Sequence, residues 1–146
     1  PGLYPLALPY VEFWVPPGTA AGIGAFYADC LGCPVEKRPV AEDVAVRVTV
    51  GTYQEFRFRE RPDATVVQSR NHVAIYMTRY KATYDRLLER DLIMEEDVGD
   101  QFRFCKMVEP ASGRGLFVFE HEVRSLFHEG FRRRLVNRYP MPERID

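Results

Sequence analysis

The apolar and polar positions of this chain repeat one pattern twice. Tyr10-Val11-Glu12-Phe13-Trp14-Val15 reads as a strand, with Val11, Phe13 and Val15 on one face. Ile23, Phe26, Tyr27, Cys30 and Leu31 then fall at i, i+3, i+4, i+7 and i+8, which predicts an amphipathic helix over about 20–31. His72-Val73-Ala74-Ile75-Tyr76-Met77 reads as a second strand, followed by a helix over about 80–90 that places Tyr80, Tyr84, Leu87 and Leu88 on one stripe. The strands match at an offset of 62 residues and the helices at 57, the difference being taken up by a longer first loop, Pro16-Pro17-Gly18-Thr19-Ala20. Each unit closes in short strands, 44–50 with 53–59 and 101–108 with 116–122. A period near 60 is too long for a solenoid and suits a duplicated half-domain. The predicted class is α+β: two tandem βαβββ modules whose curved sheets bury a face against each other and enclose a cavity.

Punctuation supports the segmentation. Thr19 and Thr78 stand where helix caps belong, Gly32 where a helix ends, Gly51 at a tight turn and Pro110–Gly115 at a longer one. One domain over residues 1–146 is expected, with module one at about 8–61, a linker at 62–69, module two at about 70–122 and a tail at 123–146. A chain of 146 residues buries roughly 68–70% of its unfolded surface, enough for one core. The net charge of −1 gives no electrostatic reason to expect nucleic acid or membrane as a partner, and no apolar run approaches a membrane span. The N-terminal residues lack the pattern of a secretory signal, and three cysteines, an odd number, point to a reducing compartment, the cytoplasm. Cys30-Leu31-Gly32-Cys33 has C-x-x-C spacing. It sits at a helix C-terminus, where the helix dipole disfavours a thiolate, so it reads as packing.

Strand alternation selects the side chains free for chemistry. Opposite the core faces stand Tyr10, Glu12 and Trp14 in module one and His72, Ala74 and Tyr76 in module two. Arg47 and Thr49 join them from the third strand, and Tyr53, Glu55, Arg57 and Arg59 from the fourth. If the last strand follows the register of the fourth, Phe117, Phe119 and His121 face the cavity and Glu120 lies opposite. Tyr10, Trp14, Tyr53 and Tyr76, with Phe117 and Phe119, suit a planar ligand, and Arg47 or Arg57 can meet its negative charge. Glu12 either carries a raised pKa among the aromatics or pairs with an arginine. His72 with Glu12 or Glu55 forms the candidate acid/base set.

Ala25-Phe26-Tyr27-Ala28-Asp29-Cys30-Leu31-Gly32 resembles a signature of the vicinal oxygen chelate superfamily, which includes glyoxalase I, bleomycin-resistance and fosfomycin-resistance proteins and extradiol dioxygenases. Asn71–Ile75 resembles the strand that opens its second module, and Pro110–Phe119 its closing hairpin, so the likeness covers residues 9–122. Where such proteins hold a metal, the resemblance implies one ligand from the start of each module's first strand and one from each last strand. Here these positions map to Tyr10, His72, Glu55 and Phe117, leaving His72 and Glu55 as the two donors. Glu12 is the substitute for Tyr10, and a slip in register would offer His121 or Glu120 in place of Phe117. The resemblance implies either no cofactor or one divalent ion (Fe, Mn, Ni or Zn). It also implies a glyoxalase- or bleomycin-resistance-like protein binding a small aromatic or anionic molecule. The alternative is a metal-dependent or acid/base lyase, isomerase or dioxygenase. A homodimer is expected, with the apolar tail residues Leu126, Phe127, Phe131, Leu135 and Val136 at the interface or over the cavity.

Overall fold

A computed structural model describes residues 8–40, 43–97 and 100–131. Its elements run β1 (Tyr10–Val15), α1 (Ala20–Phe26) continuing as a π-helical turn (Tyr27–Leu31), β2 (Val35–Val40), β3 (Asp43–Gly51) and β4 (Gln54–Glu60). Module two repeats them as β5 (Val67–Met77), α2 (Tyr80–Leu88), β6 (Ile93–Asp97), β7 (Gln101–Val108) and β8 (Gly115–Ser125). Each module is βαβββ. The sheets have the orders β1-β4-β3-β2 and β5-β8-β7-β6, first and last strands pairing in parallel. They curve without closing. Strands β5 and β8 reach three residues into the stretches that the sequence assigns to linker and tail. Residues 132–146, with Leu135 and Val136, lie outside the described residues.

The helix ends follow from local chemistry. Gly32 terminates the first helical segment at φ 70, a left-handed conformation that costs glycine little. Thr19 does stand at the N-cap of α1, but its hydroxyl donates to the Pro16 carbonyl at 2.6 Å. The orphan amide of Ala20 is met instead by the Glu60 carboxylate at 3.0 Å, a charge that also suits the helix N-terminus. In module two Arg79, not Thr78, occupies the cap position. No helix among the described residues is long and apolar enough to cross a membrane.

The core lies between the helix-side faces of the two sheets. Phe13, Val15, Val46, Val48, Phe56 and Phe58 of module one are buried together with Phe102, Phe104, Phe117, Phe119 and Val123 of module two. Helix α1 is clasped by both sheets because two of its glycines allow close approach. A Cβ on Gly24 would stand 2.8 Å from Val46 Cγ1 and 3.0 Å from Val35 Cγ1, and one on Gly22 would stand 2.8 Å from the end of Leu116. The rings of Phe13 and Phe119 lie 4.5 Å apart, joining β1 to β8 across the modules.

The register of β8 corrects one expectation. His72 pairs with Glu120, Ala74 with Glu122 and Tyr76 with Arg124, so these charged residues share the outward face of β5. Phe117, Phe119 and His121 are buried on the helix side. The reason is the closing hairpin. Gly51 pairs with Gln54 in module one, whereas Val108 pairs with Gly115 in module two. The second turn is therefore longer, and counting from its glycine lands on the wrong face.

Candidate functional site

A cavity of about 410 Å³ opens at the seam between the modules. Module one contributes Leu8, Tyr10 and Val11, the hairpin residues Val50 and Gly51, and Gln54, Glu55 and Phe56. Module two contributes Val73–Tyr76, and Phe131 arrives from the segment after β8. Its floor is apolar because Val11, Phe56, Val73 and Ile75 come from core-facing positions. Its rim carries Tyr10, Glu55 and Tyr76 from the outward positions of the same strands. Phe131 packs on Tyr76 with ring centroids 5.3 Å apart, and the Tyr76 hydroxyl accepts from Arg124 Nη1 at 3.0 Å. Gly130 makes this approach possible, since a Cβ there would lie 2.6 Å from the Tyr76 oxygen.

The outward sheet faces are lattices of arginine and carboxylate. In module one Arg59 donates to Glu12 at 3.3 and 3.4 Å, and Trp14 Nε1 donates to the same carboxylate at 3.4 Å. Arg57 Nε donates to Glu55 at 2.6 Å while its guanidinium lies 3.6 Å over the Tyr10 ring. In module two Glu122, only 3% exposed, is held by Arg103 Nη2 at 2.7 Å and by Arg124. Arg103 Nη1 also donates to Glu120 at 3.0 Å. His72 Nε2 stands 3.9 Å from Glu122, so its acidic neighbour is neither Glu12 nor Glu55.

A second polar pair is wholly enclosed. The Tyr27 hydroxyl of the π-helical turn meets His121 Nε2 at 2.5 Å, and His121 Nδ1 lies 2.8 Å from the Phe119 carbonyl. A carbonyl only accepts, so Nδ1 carries the proton and Nε2 accepts from the tyrosine. The imidazole also stacks on Phe104 at 4.4 Å. Burial pushes the His121 pKa down to about 4 and raises that of Tyr27 well above its ordinary value. Nearby, burial pushes the Cys30 and Cys33 thiols up to about 11, which suits packing rather than thiolate chemistry.

Of the expected site residues, Tyr10, Glu55 and Tyr76 meet at the cavity, and Arg57 stands behind its rim. Glu12, Trp14 and Arg47 share the outward face of the first sheet but do not line the cavity. Tyr53 is at the tip of the β3–β4 turn with φ 59, 92% exposed. Phe117 and Phe119 belong to the core. Glu122, Arg103 and Arg124 escape the sequence reading. The signal that could have found two of them is the charged alternation Glu120, Glu122, Arg124, which marks the outward face of β8.

No protein-family model matches the sequence, and no curated protein matches it. Solved structures do match. A glyoxalase family protein from Bacillus anthracis is 20% identical, with a TM-score of 0.59 over 84% of this chain and 96% of that one. A lactoylglutathione lyase from Agrobacterium tumefaciens is 15% identical, with a TM-score of 0.51 over 83% and 94%. The fosfomycin resistance protein FosX of Listeria monocytogenes is 11% identical, with a TM-score of 0.57 over 84% and 92%. A mutant form of that FosX is complexed with Mn(II) and 1S,2S-dihydroxypropylphosphonic acid. The fold is the one that these glyoxalase and fosfomycin resistance structures share.

Strand register relocates the four positions that the sequence resemblance singles out for a metal. Tyr10 pairs with Glu55, and at the same point of module two His72 pairs with Glu120. The residue opposite His72 in the register is therefore Glu120 and not Phe117. The four residues nevertheless do not fit a divalent ion as arranged. A phenol is a poor ligand until it loses its proton, Glu55 is engaged by Arg57, and Glu120 by Arg103. Among the described residues no group of three or more His, Cys, Asp or Glu side chains is gathered to hold a metal.

Proposed function

We propose that this is a cytoplasmic, glyoxalase/bleomycin-resistance-like protein that binds a small aromatic or anionic molecule at the seam between its modules. The observation that carries the reading is the cavity itself. Its volume of about 410 Å³ lies within the range typical of small-molecule sites, and it combines an apolar floor with two tyrosine rings and few polar groups. The names of the fold neighbours, a lactoylglutathione lyase and a fosfomycin resistance protein, support a small-molecule partner. Three free cysteines support a reducing compartment.

A panel of aromatic acids, amides and amines titrated into the ¹⁵N-labelled protein tests this. Binding compounds should shift the amides of Tyr10, Val11 and residues 73–76 together. Ala74→Trp, which places an indole at the cavity wall, should weaken them at least tenfold. Shifts confined to other surfaces would show that the site is elsewhere.

A second reading is an acid/base lyase or isomerase, favoured by the approach of His72 to Glu122. Turnover of a cavity-bound compound by the wild type but not by His72→Gln would establish it, and equal rates would remove it.

Assembly into a homodimer is also proposed. Phe127, 90% exposed, borders an open groove with Met77, Tyr80 and Leu126, an apolar patch that a second copy can cover. Truncation after Ser125 should then leave a monomer in light scattering. An unchanged dimer would place the interface elsewhere.

A further inference from the structure

The module-one half of the metal map already holds a cation, supplied by the chain. Arg57 Cζ lies 3.6 Å from the centroid of the Tyr10 ring, a stacking distance. Its Nε donates to Glu55 at 2.6 Å, and Nη2 meets the same oxygen. The guanidinium is thus fixed on one face by the ring and along one edge by the carboxylate. Its Nη1 has no partner among the described residues, and the side chain is 28% exposed. Module two repeats the substitution, since Glu120, the strand partner of His72, accepts from Arg103 Nη1. Each carboxylate that could have served an ion is therefore closed by an arginine. A guanidinium keeps its charge at any physiological pH and presents its donors in a plane. That geometry matches a carboxylate better than it matches a neutral acceptor.

We infer that Arg57 takes the electrostatic place of the divalent ion in this chain, and that the ligand is a carboxylate-bearing aromatic molecule. Its anion meets the free edge of Arg57 while its apolar body enters the seam cavity across Tyr10. This rests on the cavity being the ligand site, as proposed above. It adds that the site needs no metal and prefers an anion.

The test uses the untagged full-length protein in two arms. In the first, dialysis against Mn(II), Ni(II) or Zn(II) followed by elemental analysis should leave less than about a tenth of an equivalent per chain. A stoichiometric ion whose retention depends on His72 or Glu55 would overturn the inference. In the second, benzoate and its neutral counterpart benzamide are titrated while the Arg57 Nε–H resonance is followed, with and without chelator. Benzoate should bind at least tenfold more tightly, unaffected by chelator. Arg57→Met should erase that preference while leaving benzamide binding in place, and Arg57→Lys, which keeps the charge but not the planar fork, should erase most of it. Benzamide binding as tightly as benzoate in the wild type would overturn the inference and leave the cavity reading intact. If neither compound perturbs the cavity amides, and no member of the wider panel does, both readings fall together.

Discussion

Acidification from pH 6.5 to pH 4 should lower the unfolding free energy by about 3 kcal/mol through His121 alone. The folded-state pKa near 4 lies below the ordinary 6.5 because the ring is fully buried. Between these values the unfolded chain takes up a proton that the native chain refuses. The contribution is therefore complete above pH 6.5 and is lost progressively as pH falls toward 4. Protonated Nε2 could no longer accept from Tyr27, whose hydroxyl has no other hydrogen-bond partner among the described residues. Other titrating groups also act in this range, so the measurement is a difference. Urea unfolding at several pH values should show a steeper loss for the wild type than for Tyr27→Phe/His121→Phe, which replaces both polar partners with apolar rings. Parallel profiles would mean that the imidazole titrates normally. His121→Phe alone should be less stable than the double variant, because it strands a buried hydroxyl at a cost of about 1–3 kcal/mol.

Phe13→Ala should cost about 3–5 kcal/mol, the range for emptying an aromatic core site. The ring is buried and lies 5.6 and 5.2 Å from Phe56 and Phe58 of its own sheet, and 6.4 and 4.5 Å from Phe117 and Phe119 of the other. The loss falls on both modules at once. A single cooperative transition at lower urea is expected. A biphasic curve, with one module surviving, would show that the seam contributes little to the other half.

Much of the architecture is legible in the chain because its elements are half-buried and so alternate or repeat cleanly. β1, α1, β5 and α2 show their periods directly. β2 and β6 do not. Val35-Glu36-Lys37-Arg38-Pro39-Val40 and Ile93-Met94-Glu95-Glu96-Asp97 are edge strands. Edge strands carry charges and tolerate proline, so their composition imitates a loop. The candidate site is legible by face but not by depth. Alternation places Tyr10, Glu12 and Trp14 together, yet only Tyr10 of the three reaches the cavity. β8 misleads because His121 is polar and buried. Its burial is made possible by Tyr27, 94 residues away, and no local pattern announces that partner. Phe131 likewise becomes part of the wall by packing on Tyr76, a contact that no local pattern announces.

The clasp of both sheets on α1 makes each half the other's roof. The two halves still show their common pattern, but they are no longer equivalent. Gly22 and Gly24 admit a sheet on either side of the first helix, and α2 carries no glycine. A lone half would leave one apolar sheet face bare, a surface that a soluble protein hides by association. Either half on its own would therefore need a second copy to roof it. Within one chain that partnership is permanent, and the helix glycines mark where the two halves are no longer interchangeable.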